Sequence, residues 1–153
     1  MDSPDSPKKK TKKKPPSPRR DGREAAVQYL YGHDLQGEVD FSDEALEAFW
    51  ELRLAKPAAQ DFAITIIAGV RDHLPDLDDA IRATLENFAF QRLTPVDRNI
   101  LRVGAYEVLF ADEIPWQVAI NEAVEVAKRF GGEESPGFIN GILDTLRQTH
   151  IGD

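Results

Sequence analysis

Thr94-Pro95-Val96-Asp97-Arg98-Asn99-Ile100-Leu101-Arg102-Val103-Gly104-Ala105-Tyr106-Glu107-Val108-Leu109 decides the fold class. A hydroxyl residue that can accept a backbone N–H comes first, then a proline at the first helical position, then an acidic residue in the third. Together they read as a capped helix start. Val96, Ile100, Leu101 and Val103 then share one side of a 3.6-residue wheel, with Val108 and Leu109 a turn later. Glycine in a helix interior costs about 1 kcal/mol relative to alanine, so Gly104 predicts the close approach of another helix.

The same periodicity extends in both directions. Toward the C-terminus, Pro115 opens a helix with Val118, Ala119, Glu122, Ala123 and Val126 at helical spacing, and Gly131-Gly132 is expected to close it with a left-handed residue. Ser135-Pro136 repeats the cap-then-proline pattern and starts a last helix carrying Ile139, Ile142, Leu143 and Leu146. Toward the N-terminus, a helix from Arg19 places Ala26, Val27 and Leu30 on one face and breaks near Gly37. Ser42 or Asp43 caps a second, with Leu46, Phe49, Trp50 and Leu54 as its apolar stripe. Pro57 opens a third with Phe62, Ile66, Ile67 and Val70 inward, fading near Pro75, and a fourth carries Leu77, Ile81 and Leu85. No stretch alternates with period two. The expectation is an all-α protein of about seven helices in two packed subdomains, about 19–75 and about 76–150.

Residues 1–18 differ. They hold six lysines, five prolines and three serines with no aliphatic residue after Met1, the composition of a disordered tail. Charge divides along the same line. Residues 1–20 carry a net of +6 and the remaining 133 a net of −14, within an overall −8. A basic arm suits a polyanion, whereas an acidic body suits a basic protein and confines any nucleic-acid site to a local patch. The tail alone also reads as a solubilising extension.

Cysteine is absent, which excludes a disulfide framework, a thiolate metal site and a cysteine nucleophile. No apolar run approaches the ~18 residues of a membrane helix, and no apolar segment follows the basic stretch as in a secretory signal. A cytoplasmic protein is expected. His33, His73 and His150 are far apart and read as surface or helix-end residues. Asp72, Asp76, Asp78 and Asp79 lack the glycine and terminal glutamate of a calcium loop, and Asp76 and Asp78 read as partners of a helix dipole. No catalytic residues, metal site or cofactor are expected. The exclusions leave binding.

Single-stranded RNA recognition needs cations for phosphates and flat side chains on which bases stack. Arg19, Arg20 and Arg23 supply the first at the start of the opening helix, with Gln28 and Tyr31 further along it. Tyr31 can equally be core. Lys128 and Arg129 end the penultimate helix, where they also complement its dipole. Asn121 and Glu122 read as buried helix-tying groups, with Arg102 as their ionic counterpart.

Three segments are more specific than generic helix: Arg23-Glu24-Ala25-Ala26-Val27-Gln28-Tyr29-Leu30-Tyr31, Ile100-Leu101-Arg102-Val103-Gly104-Ala105-Tyr106-Glu107, and Ile120-Asn121-Glu122-Ala123-Val124-Glu125-Val126-Ala127-Lys128 with Phe138-Ile139-Asn140-Gly141-Ile142-Leu143-Asp144. In this order they resemble the NusB family of bacterial transcription antitermination proteins, over about residues 19–147. The resemblance implies an all-helical fold and binding of the boxA element of ribosomal RNA transcripts alongside NusE, a small-subunit ribosomal protein. It also implies joining an antitermination complex on RNA polymerase, as a monomer or homodimer. It suggests base stacking for Phe138, which can also be a core residue, and a NusE-facing surface that includes Tyr31, Asp97 and Glu134. For Asp97 the simpler role is that of third residue after the Thr94 cap. The arginine-rich start departs from the most basic members, because Asp21-Gly22 interrupts it. Two alternatives are a helical protein-binding scaffold and an RNA-binding module like those attached to rRNA methyltransferases. At 153 residues there is no room for a methyl-donor-binding sheet.

Overall fold

The computed structural model describes residues 17–86 and 89–152. Their regular structure is six α-helices and one 3-10 turn: α1 (Pro18–Asp34), α2 (Asp43–Leu52), α3 (Pro57–Thr84), the turn Phe90–Arg92, α4 (Pro95–Phe110), α5 (Trp116–Phe130) and α6 (Ser135–His150). Most of the tail lies outside the described residues. Its last two positions belong to the fold, since Ser17 caps α1 by accepting from the Arg20 N–H at 3.1 Å and Pro18 is the first helical residue.

The expected third and fourth helices are one. α3 runs 28 residues with a kink at His73 (φ −121°, ψ 15°). Pro75 removes a backbone donor and its ring crowds the preceding turn, yet the chain bends without stopping. Val70 and Leu77, on either side of the bend, are both buried, and the His73 ring stacks on Phe110 at 3.8 Å. Core contacts hold both halves in place across the defect.

Other starts and stops follow local chemistry. Thr94 Oγ1 accepts from the Asp97 N–H at 3.1 Å, the predicted cap of α4, and Ser42 does the same for Ala45 at 3.1 Å. Two expectations need correcting. Gly131 is extended, not left-handed (φ −90°, ψ −177°), and it is glycine for space, because a Cβ would lie 2.6 Å from Ser135 Cβ and 2.9 Å from the Ala127 carbonyl oxygen. Ser135 does not cap α6 but is its first residue. Its hydroxyl accepts from the Gly132 N–H and donates to Asp97 Oδ1, at 2.9 and 2.8 Å. It fastens the α5–α6 turn to the start of α4.

The core is one cluster drawn from α1 and α3–α6. At its centre Gly104 does what its position in the sequence predicts: a Cβ there would meet Leu143 Cδ1 at 2.6 Å and Ala123 Cβ at 3.3 Å, so α4, α5 and α6 touch through hydrogen. α2 contributes no buried residue. Its stripe of Leu46, Phe49 and Trp50 lies against the core, but Leu54, expected there, is 82% exposed and Leu52 90%. Arg53 between them turns inward, bonded to Asp21 at 2.8 Å and to Gln28 at 2.9 Å. An extended backbone at Arg53 sends its neighbours to the opposite side. No described helix is long and apolar enough to cross a membrane.

Candidate nucleic-acid interface

α1 lies between α3 on one side and α4 and α5 on the other, and its first two turns distribute their side chains accordingly. Arg20 reaches α5: its Nε and Nη2 donate to Glu122 Oε1 and Oε2 at 2.6 and 2.9 Å. Arg23 reaches α4 by the same two-pronged geometry, to Glu107 at 2.7 and 2.9 Å. Its Nη1 stands 3.5 Å from Glu122 Oε1, which links the two pairs. A planar guanidinium matches a carboxylate in this way because two parallel N–H bonds fit its two oxygens.

The two arginines differ in access. The Arg23 and Glu107 side chains are 4% and 2% exposed, whereas that of Arg20 is 33% exposed. Burial pushes the Glu107 carboxyl above its ordinary range, against the hydrogen bonds from Arg23. The bond from Arg20 holds Glu122 below its ordinary range, and Glu122 in turn raises Arg20. Arg19 is exposed. Its guanidinium and that of Arg23 lie 5.2 and 5.0 Å from the Phe62 ring centre, within cation–π range. Further along the seam Arg129, 62% exposed, approaches Glu24 Oε1 at 3.5 Å, and Lys128 pairs with Glu125 at 3.0 Å.

The sequence-predicted residues therefore divide among three places. Arg19, Arg20, Arg23, Lys128 and Arg129 gather on α1 and the facing side of α5. Gln28 lies on another face of α1, held by Arg53 of the α2–α3 linker. Phe138 lines a separate cavity of about 630 Å³ with Asp97, Glu134, Ser135, Arg92 and Leu93. Asp34 near the end of α1 binds Arg98 at 2.8 Å, so that cavity, beside Asp97, sits level with the far end of α1. Eleven residues of helix, roughly 16 Å, separate it from the level of Arg23. Tyr31, half-buried, belongs to the same far end.

Three structural expectations fail for identifiable reasons. Arg102 is not the counterpart of Glu122. It donates to both oxygens of Asp78, at 2.8 and 2.9 Å, and to Asn99 at 3.0 Å, which also makes Asp78 an ion-pair partner and not a dipole partner. Asn121 is exposed, because at 100° per residue it points away from the buried Ala119 and Ala123 on either side. Sequence reading missed Phe62 as a platform for Arg19, and the carboxylates that take up Arg20 and Arg23. The helical spacing of Glu107 and Glu122 was visible, but not which arginine each would meet.

The NusB family model matches residues 20–148. The chain belongs to the NusB family. Among similar proteins are the transcription antitermination protein NusB of Trichlorobacter lovleyi, 44% identical over 129 residues (84% of this chain, 89% of the relative), and that of Myxococcus xanthus, 42% identical over 132 residues (84% and 93%). Among solved structures, T. maritima NusB superposes with a TM-score of 0.76 at 40% identity, covering 88% of this chain and 93% of that one. A complex of the antitermination factors NusB and NusE with double-stranded RNA contains a chain of TM-score 0.75 at 25% identity, covering 86% and 97%. Like its NusB relatives, the chain is a transcription antitermination protein, and the regular structure of its described residues is all helical. No described cluster of three or more His, Asp or Glu side chains is arranged to hold a metal ion.

Proposed function

We propose that the chain binds boxA RNA of ribosomal RNA transcripts through the α1–α5 seam, jointly with NusE, and so helps RNA polymerase read through terminators. The role is one of binding, not catalysis. One observation carries the reading: on a body whose residues beyond 20 total −14, Arg20 and Arg129 lie along the α1–α5 seam and Arg19 stands beside it over Phe62 of α3, each with side-chain surface open to solvent. Cations so placed attract phosphate locally where the molecule as a whole repels it.

The cavity at the other end of α1 suits the protein partner. Glu134 is exposed and Asp97 half-buried on its wall, with Phe138 beside them. Acidic groups flanking an aromatic ring complement a basic protein surface. That a chain with this fold occurs in a complex of NusB and NusE with double-stranded RNA supports RNA and NusE as the two partners. The basic tail adds non-specific attraction to RNA.

The test is a titration of purified full-length protein with boxA RNA, a scrambled RNA and an RNA duplex, each with and without NusE. Tighter binding of boxA RNA, further tightened by NusE, is expected. Equal affinity for boxA and scrambled RNA with NusE present would remove the proposal. Deleting residues 1–16 should weaken RNA binding and flatten its salt dependence while leaving NusE binding intact. An unchanged RNA affinity would instead favour a protein scaffold with a solubilising tail.

A further inference from the structure

We infer that Glu122 is a positioning residue for RNA binding: it grips one edge of the Arg20 guanidinium and turns the next edge outward as a ready-made fork for a phosphate. The inference rests on the RNA reading of the α1–α5 seam.

A guanidinium has five N–H groups. Glu122 takes Nε–H and one hydrogen of Nη2, on a single edge. Both hydrogens of Nη1 and the second of Nη2 remain, and one from each nitrogen points in parallel off the next edge, the one suited to bidentate capture of a phosphate. The side chain is one-third exposed, so this edge is within reach of solvent.

Glu122 is itself held. The same Oε1 that accepts from Arg20 lies 3.5 Å from Nη1 of Arg23, and Arg23 is fixed by the buried carboxylate of Glu107. A chain of alternating charges thus runs Glu107, Arg23, Glu122, Arg20, from the core of α4 to the surface. Each member has lost its freedom before any ligand arrives. The negative charge of Glu122 faces two guanidinium groups, which limits its repulsion of an incoming phosphate. Arg23, fully engaged and buried, serves in this arrangement as a strut and not as a contact.

Immobilising a long side chain on binding costs about 0.5–1.5 kcal/mol. Arg20 has already met that cost in the free protein. Arg19, which among the described residues has a ring contact and no side-chain hydrogen bond, has not. The same bracket explains why a carboxylate belongs in a seam meant for an anion.

The experiment uses full-length protein and a short single-stranded boxA RNA, titrated across a salt series. Glu122→Ala should weaken binding about two- to tenfold, the range set by that ordering cost, and leave the salt slope unchanged, because Arg20 keeps its charge. Glu122→Gln, which retains one acceptor, should fall between it and the wild type. Arg20→Ala should weaken binding and lower the slope by about 0.7, and adding Glu122→Ala to it should bring no further loss. Thermal unfolding of each variant establishes that it is folded, and Glu122→Gln carries the comparison if the alanine variant is not. Binding by Glu122→Ala as tight as wild type, or tighter, overturns the inference by making the carboxylate a competitor of phosphate. An equal loss on the Arg20→Ala background overturns it by making the role generally structural. A silent Arg20→Ala, in affinity and slope alike, rejects instead the RNA reading of the seam.

Discussion

Two of the ionic networks that join α1 to the rest of the molecule use the same chemistry at opposite ends of the helix. At the far end, Asp34 meets Arg98 and Asn99, and Arg102 meets Asp78 and Asn99. The ring of Phe90 lies beneath Arg98 and Arg102 at 5.7 and 5.6 Å. Arg98 also donates to the Leu93 carbonyl oxygen at 3.1 Å. Every nitrogen of Arg102 is engaged from within, and the Arg98 side chain is only 13% exposed, the profile of a clamp. At the near end the pattern repeats through Arg23 and Glu107 but ends in a guanidinium with one edge left over. Function is signalled less by an arginine being present than by which of its donors the fold leaves unspent.

That contrast can be broken at several strengths. Glu107→Ala strips the buried Arg23 of its two-pronged partner, leaving it only the 3.5 Å contact with Glu122, and should destabilise by about 3–5 kcal/mol in denaturant unfolding. Arg102→Ala, in the partly wetter far network, should cost about 2–4 kcal/mol while RNA affinity of the folded fraction stays at the wild-type value. A loss of RNA affinity there would erase the distinction between clamp and contact. Arg20→Ala reverses the pattern. Its stability change should stay below about 1 kcal/mol, since the pair is part-exposed, while RNA affinity falls roughly tenfold as a charged phosphate contact is lost.

The smallest effect belongs to Glu24, buried at the seam with Arg129 as its nearest cation at 3.5 Å. Burial raises its folded-state pKa above the ordinary glutamate value, so the folded chain holds that proton more tightly than the unfolded one. Stability then declines as pH rises through the window between the two values. Glu24→Gln should raise stability at neutral pH by less than about 1 kcal/mol, with the gain vanishing in acid, as a pH series of unfolding midpoints will show. Glu122 has the opposite sign. Its lowered value keeps it charged, so binding through Arg20 should be flat from about pH 6 to 8.

The helices were legible because their signals are local. Thr94-Pro95 starts α4, Ser42 caps α2, and Gly104 marks a crossing, each readable from a few adjacent residues. The kink in α3 was legible as a break but not as a continuation, because what carries the helix past Pro75 is burial of Val70 and Leu77, a tertiary effect. Arg20 and Arg23 were legible as candidates at the start of α1. Their unequal fates depend on carboxylates 102 and 84 residues away, which no local pattern encodes. Phe138 shows the same gap: helical position alone could not say that it faces Asp97 and not the arginines.

Those separations also bear on how the chain is made. At roughly 5–20 residues per second, α1 leaves the ribosome many seconds before Glu107 and Glu122 are synthesised. The first helix to appear can pack its apolar face on α3 once that is made, but its two arginines wait longer for their counterparts. Contacts between such distant positions slow folding, so consolidation of the α1 seam is expected to come late, after α4 and α5 have paired.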